Sequence, residues 1–310
     1  PVAKALKTPI GSESTAPLGP RRVSSSTRLS ARPTDTQNRI VFGMVPQRDD
    51  DKTRLLLNDL CAYLAKQVDM VVVPHRSPST EALASALHAG RVHVAWVGAL
   101  QMLLSEHMTE MTPILSAVRE GVAFYHSVLF SPGSSSITDL AGAKGKRIAW
   151  VAQASAAGYV VPRLSLARRG IVADGYFSEE IFAGSHAKAT QAVVDGDADV
   201  AATYAIFEDG DPAKPLVKSG YRTMDPKLEV HVLDTSGPIP SDLIVAAPSV
   251  SAKVTRAVSQ ALLRIATDRA SKEIMTDLIG ADDFTPFTAA VLREVRALVD
   301  VARASGALIE

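Results

Sequence analysis

The sequence predicts an α/β protein of two lobes, each a mostly parallel sheet flanked by helices. Continuous apolar segments of strand length alternate with amphipathic segments of helix length, and this β-α-β pattern occurs twice. Continuous apolarity is typical of parallel strands that are buried on both faces. With 310 residues, 46% of them hydrophobic, the chain is long enough for one large core or two modest ones.

The first 38 residues are rich in Ser, Thr, Pro, Arg and Lys and contain few large apolar residues. Such a segment cannot bury enough surface to offset the entropy lost on ordering, so residues 1–38 are predicted to be a disordered linker or tail. The chain begins at Pro1 without an initiator methionine, a signal peptide or a lipid-attachment cysteine. We therefore expect it to be a processed or excised piece of a longer product.

Two series of elements follow, and together they predict lobe 1 from residues 39–124 plus 238–310 and lobe 2 from residues 125–237. The pattern of the first series predicts strands at 40–45, 70–74, 93–98, 111–119 and 122–130, with helices at 53–67, 80–89 and 100–106. The second series predicts strands at 148–151, 179–182, 200–203, 229–233 and 242–246, with helices at 138–144, from about 159, at 185–195, 252–267 and 288–306.

Charge and cysteine content exclude several functional classes. Lys plus Arg and Asp plus Glu number 33 each, so no net field favours nucleic acid or an anionic membrane surface. No apolar run is long enough to cross a bilayer. The single cysteine, Cys61, cannot form a disulfide within the chain, and no Cys/His cluster has the spacing of metal ligands. The acidic run 49–51 is interpreted as a solvated helix start rather than a metal site.

Catalytic motifs are missing from the sequence. It has no Gly-x-Ser-x-Gly elbow, no P-loop, no His-Glu-x-x-His and no dinucleotide fingerprint. No motif supplies a base for Ser155 as a nucleophile. We therefore predict binding without turnover, with no catalytic residue, no metal and no cofactor.

The segment 147–170 carries the clearest candidate site. A buried strand is followed by the small-residue loop QASAAG (153–158) and then by a helix with Val160, Val161 and Leu164 at helical spacing. Free amide groups at the helix start, the hydroxyl of Ser155 and the positive end of the helix dipole would together bind an anion. The alternative is an ordinary β-α turn whose small residues only allow close packing.

Other candidates lie where strands end, because ligands of open α/β sheets bind at the carboxyl ends of strands. Gln47 follows the first strand and could offer an amide to a ligand. Tyr125 either lines the cleft or packs in the core, and His186 either binds an anion or is simply solvated at a helix start. Tyr159 is expected to pack on the first helical turn with its hydroxyl toward the cleft. Trp96 and Trp150 are assigned to the core.

These segments, in this order and spacing, resemble a known family. The residues that carry the resemblance are FGMVP (42–46), ALHAGRVHVAWVG (86–98), YHS (125–127), DLAG (139–142), GKRIA (145–149), ASAAGYVVP (154–162), GSH (184–186), DGDADV (195–200) and PIP (238–240). The chain resembles the phosphonate-binding periplasmic proteins of ABC transporters, over about residues 40–302. The resemblance implies the type II periplasmic binding protein fold, with a ligand cleft between the lobes.

The resemblance also implies a binding site. In the family, the loop at 154–159 usually carries Ser-Thr-Ser before Gly-Tyr, so Ser155 is the surviving hydroxyl and Ala156 and Ala157 replace the other two. Gly98-Ala99 stands where the family has Gly-Pro, and Thr203-Tyr204 stands where an acidic residue usually holds a substrate amine. The predicted ligand-binding residues are Gln47, Gly98, Ala99, Tyr125, Ser155, Ala156, Ala157, Gly158, Tyr159, His186 and Tyr204.

Two functions follow from this. The first is a solute-binding protein that captures a small, phosphonate-like oxyanion by hinge closure for ABC-type uptake, with an ABC permease as partner and a periplasmic or extracytoplasmic location. The alternative is a ligand-sensing domain of the same fold, tethered by the linker to a signalling module such as a kinase, which would allow a cytoplasmic location. Neither interpretation involves nucleic acid or direct membrane insertion.

Overall fold

A computed structural model describes residues 38–46 and 50–290, together with residues 292, 293, 296, 297, 299 and 300. The predicted tail, apart from Asn38, therefore lies outside the described residues. Gln47 and most of the predicted helix 288–306 also lie outside them.

The strands and helices alternate as the sequence predicts. The strands are β1 (Arg39–Met44), β2 (Val71–Arg76), β3 (Val94–Val97), β4 (Thr112–Val118), β5 (Phe124–Pro132), β6 (Arg147–Trp150), β7 (Glu179–Phe182), β8 (Val200–Phe207), β9 (Leu216–Ser219), β10 (Val230–Pro240), β11 (Leu243–Ala246) and β12 (Asp283–Pro286). The helices are α1 (Asp51–Val68), α2 (Thr80–His88), α3 (Ala99–Leu104), α4 (Val161–Arg168), the single turn α5 (Ala173–Tyr176), α6 (His186–Val194), α7 (Gly220–Met224), α8 (Ala252–Leu263) and α9 (Arg269–Ile279).

Within the described residues the strands form two six-stranded sheets. The first has the order β12-β4-β11-β3-β1-β2, and the second has the order β10-β5-β8-β6-β7 with β9 paired to β8. The predicted α/β class, with two sheets flanked by helices, is confirmed. β1 pairs with β2 and β3, and β6 pairs with β7 and β8, in parallel, as β-α-β units require.

The remaining pairs are antiparallel, so each sheet is mixed rather than mostly parallel. β11 lies between β3 and β4, and β5 lies between β10 and β8. The antiparallel strands adjoin the two places where the chain passes between the sheets, at residues 119–123 and 241–242. Sequence periodicity shows burial but not strand direction, which is why the prediction missed this mixture.

Helices cover the sheets and bury apolar side chains against them. On the first sheet, Phe42 and Trp96 pack with Leu57 and Leu60 of α1. In the second sheet, Trp150 packs with Leu166 and Phe177. Cys61 is buried, and burial raises the pKa of its thiol to about 12. None of the described helices is both long and apolar enough to cross a membrane.

Several predicted elements differ from the structure. The predicted helix 138–144 is only a 3₁₀ turn, Ala141–Ala143, and the predicted helix 252–267 ends at Leu263 before a separate 3₁₀ turn. The strands predicted at 200–203 and 229–233 extend to Phe207 and Pro240. The prediction missed α9 and β12. β12 is four residues long and contains Asp and Pro, so it has no strong apolar pattern, whereas α9 places Ile274, Met275, Leu278 and Ile279 on one face against the core of the first sheet, a pattern that the prediction overlooked.

Candidate functional site

A cavity of about 490 Å³ is lined by residues of both sheets and of the helices beside them. One wall comes from the second sheet and its helices and consists of Ser155, Ala156, Ala157, His186, Tyr204, Ile206 and Lys218. The opposite wall consists of Thr53, Arg119, Asp242 and residues 276–280 at the end of α9. Tyr125, on β5, belongs to the strand that follows the first passage of the chain between the sheets.

The loop after β6 forms the first part of this site. Ser155 is the N-cap of a turn of π-helix, Ala156–Val160, which continues into α4. The amide of Gly158 donates to Ser155 Oγ over 3.1 Å. The first amides of a helix have no intrahelical acceptor, so those of Ala156 and Ala157 are the donors that this turn presents beside the cavity.

Gly158 serves packing rather than the cavity wall. A Cβ at this position would lie 2.3 Å from Cγ2 of Val151, so no larger residue fits. The amide of Gly158 is already used by the N-cap, which removes it from the predicted set of anion donors. The hydroxyl of Ser127 donates to the carbonyl of Ala157 over 2.7 Å and fixes the turn against β5.

His186 begins α6, directly after its N-cap Ser185, and faces the same cavity. Its Nδ1 lies 2.9 Å from Oγ1 of Thr203, and its ring meets that of Tyr204 edge to face at 5.0 Å. Burial lowers the pKa of His186 to about 4, so the imidazole is neutral at neutral pH. When Nδ1 accepts the Thr203 hydroxyl, Nε2 carries the proton and can donate to a ligand.

Two tyrosines complete the predicted set in the cavity. Burial raises the pKa of Tyr125, so its hydroxyl remains protonated. The hydroxyl of Tyr204 lies 3.0 Å from Oγ1 of Thr223 on α7. Both side chains combine an apolar ring with a polar tip, which suits the wall of a site that encloses a small polar ligand.

The remaining predicted residues are placed elsewhere. Gly98 lines a smaller cavity of about 230 Å³, which shares Asp242, Leu278 and Ile279 with the larger one. Ala99 is 2% exposed, because the first turn of α3 directs it into the core. Tyr159 packs between Trp150 and Phe182, with Arg163 over its ring at 5.0 Å, and does not line either cavity. Gln47 lies outside the described residues.

The charged residues of the cavity were not predicted from the sequence. Arg119 pairs with Asp242 at 2.6 Å and donates to the carbonyls of Ile279 and Gly280. Lys218 pairs with Glu120 at 3.1 Å. Arg119 and Asp242 stand at the ends of predicted strands, where side chains reach a cleft, and that position was a usable signal. Lys218 lies in a Gly/Pro/Asp-rich region, where no sequence signal indicated a site residue.

The part of the chain that the structure describes contains no set of side chains arranged as metal ligands. No group of three or more His, Cys, Asp or Glu side chains is arranged there to hold an ion. The donors that do face the cavity are hydroxyls, amides, an imidazole and two cations. Such donors suit an oxyanion, whose oxygens accept hydrogen bonds and carry negative charge.

Comparisons with known proteins identify the family of the chain. The family described as "ABC transporter, phosphonate, periplasmic substrate-binding protein" matches residues 42–292. A phosphate-import protein PhnD of Mycolicibacterium smegmatis is 24% identical over 170 residues, which are 52% of this chain and 53% of that protein. The chain thus spans about half the length of this curated relative.

Solved structures show the same fold. XAC2383 from Xanthomonas citri, solved bound to ATP, has a TM-score of 0.69 at 18% identity, covering 88% of this chain and 100% of that one. PhnD1 from Prochlorococcus marinus, solved in complex with methylphosphonate, has a TM-score of 0.62 at 17% identity, covering 87% and 99%. The family match spans most of the chain, and the chain belongs to the phosphonate periplasmic substrate-binding proteins of ABC transporters.

Proposed function

We propose that this protein captures a small, phosphonate-like oxyanion between its two lobes and delivers it to an ABC permease outside the cytoplasm. The observation that carries the proposal is the cavity that joins Ser155 and the first-turn amides with His186, Tyr204 and Tyr125. Family membership supports the transport role and the periplasmic location. It gives no support to the alternative of a domain tethered to a signalling module.

The chemistry of binding is hydrogen bonding from mostly neutral donors. The hydroxyl of Ser155 and the amides of Ala156 and Ala157 lie at a helix start, where the helix dipole favours an anion. Neutral His186 donates from Nε2, and the protonated Tyr125 donates from its hydroxyl. A hydrogen bond to a charged partner contributes about 1.5–3 kcal/mol, so a few such donors suffice for a ligand that is enclosed by both walls.

The proposal is tested by titrating the purified chain with methylphosphonate, phosphite, inorganic phosphate, sulfate and acetate, first by thermal shift and then by calorimetry. We expect one phosphorus oxyanion to raise the melting temperature and to bind with a stoichiometry of one, because a ligand that binds only the folded state stabilises it. The ligand should be recovered unchanged after long incubation. Absence of any shift with all five anions would refute the proposal.

Ser155→Ala is expected to weaken binding of the active anion about tenfold or more, because one hydrogen bond to a charged oxygen is lost. The substitution also removes an N-cap, which costs about 1 kcal/mol of stability by itself. Ser251→Ala is the matched control, since Ser251 caps α8 in the same way and does not line the cavity. Equal affinities of the two variants by calorimetry would remove this loop from the site.

A further inference from the structure

Lys218 places a positive charge on the cavity wall, and no feature of the sequence predicted it there. It lies on β9, directly opposite Ile206 of β8. Side chains of directly paired residues project from the same face of a sheet, and residues two apart on one strand share that face. Tyr204, Ile206 and Lys218 therefore share one face, and all three line the cavity.

The charges around the cavity differ in how firmly they are held. Arg119 is held by the carboxylate of Asp242 and by two carbonyls at the end of α9, and its side chain is 21% exposed. Asp277 pairs with Lys52 at 2.9 Å. Lys218 has one carboxylate partner among the described residues, Glu120, and their side chains are 47% and 35% exposed.

The pair between Lys218 and Glu120 is weak enough to exchange. An exposed ion pair contributes about 0.2–1 kcal/mol, because both ions remain hydrated when the pair opens. Lys218 can therefore leave Glu120 at little cost for a ligand that carries more charge. Arg119 cannot do the same without leaving Asp242 and two carbonyls unpaired, which costs considerably more.

We propose that Lys218 leaves Glu120 and pairs with the bound oxyanion, so that the cavity prefers a doubly charged oxyanion over a singly charged one of the same shape. This inference rests on the proposed function and names its substrate class. Ala156 and Ala157 bring no side-chain donors, and His186 is neutral, so the cation at Lys218 is the charge available to balance the ligand. Coulomb attraction grows in proportion to ligand charge, so a dianion gains more from it than a monoanion.

The first test compares methylphosphonate, at a pH above its second pKa, with methanesulfonate, which has a similar shape and a single charge. For the unchanged protein, calorimetry should show tighter binding of methylphosphonate. Lys218→Met is expected to weaken methylphosphonate binding at least tenfold and methanesulfonate binding distinctly less, so that the preference shrinks. The salt dependence of methylphosphonate binding should also fall.

The second test changes the partner. Glu120→Gln keeps the shape of the side chain and removes the competing charge, so it should strengthen methylphosphonate binding severalfold. If the pair between Lys218 and Glu120 is only structural, both substitutions should cause the same small loss of stability. The preference for methylphosphonate over methanesulfonate should then stay unchanged. Lys214→Met is the control, because the Lys214 side chain is about as exposed as that of Lys218, pairs with the carboxylate of Asp209 and does not line the cavity.

The outcomes separate this inference from the proposed function. If the unchanged protein binds methylphosphonate and Lys218→Met binds it equally well while melting normally, Lys218 is not a ligand and the proposed function stands. If Glu120→Gln weakens binding, the exchange of partners is refuted. If the unchanged protein binds neither probe, nor phosphate, the proposed function fails and this inference fails with it.

Discussion

At the scale of single residues, His186 makes stability depend on pH. Burial holds its pKa at about 4 in the folded protein, against an ordinary value of 6.5. The folded state therefore favours the neutral imidazole. The contribution of His186 to the free energy of unfolding is fully present above pH 6.5. It is lost as pH falls from 6.5 toward 4, since the unfolded chain takes up a proton first. The loss approaches about 1 kcal/mol per pH unit.

His186→Gln removes this titration. Urea unfolding across that pH range should show the unchanged protein losing stability on acidification faster than the variant. His93 and His126 also have pKa values lowered by burial, but they are present in both proteins and cancel in the difference. Parallel pH profiles of the two proteins would mean that His186 is solvated rather than enclosed.

The sequence identifies residues of this site unevenly. Ser155 and His186 could be predicted because they follow strands and match the pattern of the family. Tyr125 was predicted from the family pattern, and Tyr204 from its place after a predicted strand end. Gly158 and Tyr159 belong to the same motif, yet one fills a space too small for a Cβ and the other turns to Trp150, which only packing can show. Lys218 depends on its register with Ile206, which no local pattern encodes.

At the scale of elements, Arg119 joins three segments that are distant in sequence. It follows β4, pairs with Asp242 just before β11, and donates to the carbonyls at the C-terminus of α9. The positive charge of Arg119 lies near the negative end of the dipole of α9, where a cation is favourable. Together with the packing of Met275, Leu278 and Ile279 on the core of the first sheet, these hydrogen bonds hold the end of α9 against the cavity.

Arg119→Met is expected to lower the free energy of unfolding by about 2–3 kcal/mol, because Asp242 and two helix-end carbonyls lose their partner. Denaturant unfolding measures the loss, and hydrogen exchange should rise in α9 before it rises in α8. Arg269→Met is the control, since among the described residues Arg269 forms an exposed pair with Glu273, worth less than about 0.5 kcal/mol. A loss no greater than that of the control would show that α9 is held by other contacts.

The elements themselves were predictable where their apolar patterns were long. β1, α1, β3 and β6 lie within a few residues of the positions expected from periodicity. β12 was missed because it has four residues, whereas α9, which supplies part of the cavity wall, was missed although Ile274, Met275, Leu278 and Ile279 have helical spacing. Strand direction was not encoded locally, because β11 and β10 acquire antiparallel partners only through the return of the chain between the sheets.

At the scale of the whole molecule, the chain passes between the two sheets twice. The first passage, between β4 and β5, includes Glu120 and Gly121, which both have positive φ. The second lies between β10 and β11. The predicted lobe boundaries at 124/125 and 237/238 lie near these passages, and these boundaries remain a prediction. Two short passages are the arrangement from which hinge closure is expected.

Ligand binding is expected to bring the two cavity walls together. The cavity walls belong to different sheets, so a ligand that contacts both walls favours the state in which they approach. Saturating methylphosphonate, or whichever anion binds, should lower the radius of gyration in small-angle scattering. Ser155→Ala at the same subsaturating ligand concentration should compact less, because less of it is occupied. Superimposable curves with and without saturating ligand would show that the two walls bind the anion without moving, and that the passages between the sheets do not act as hinges.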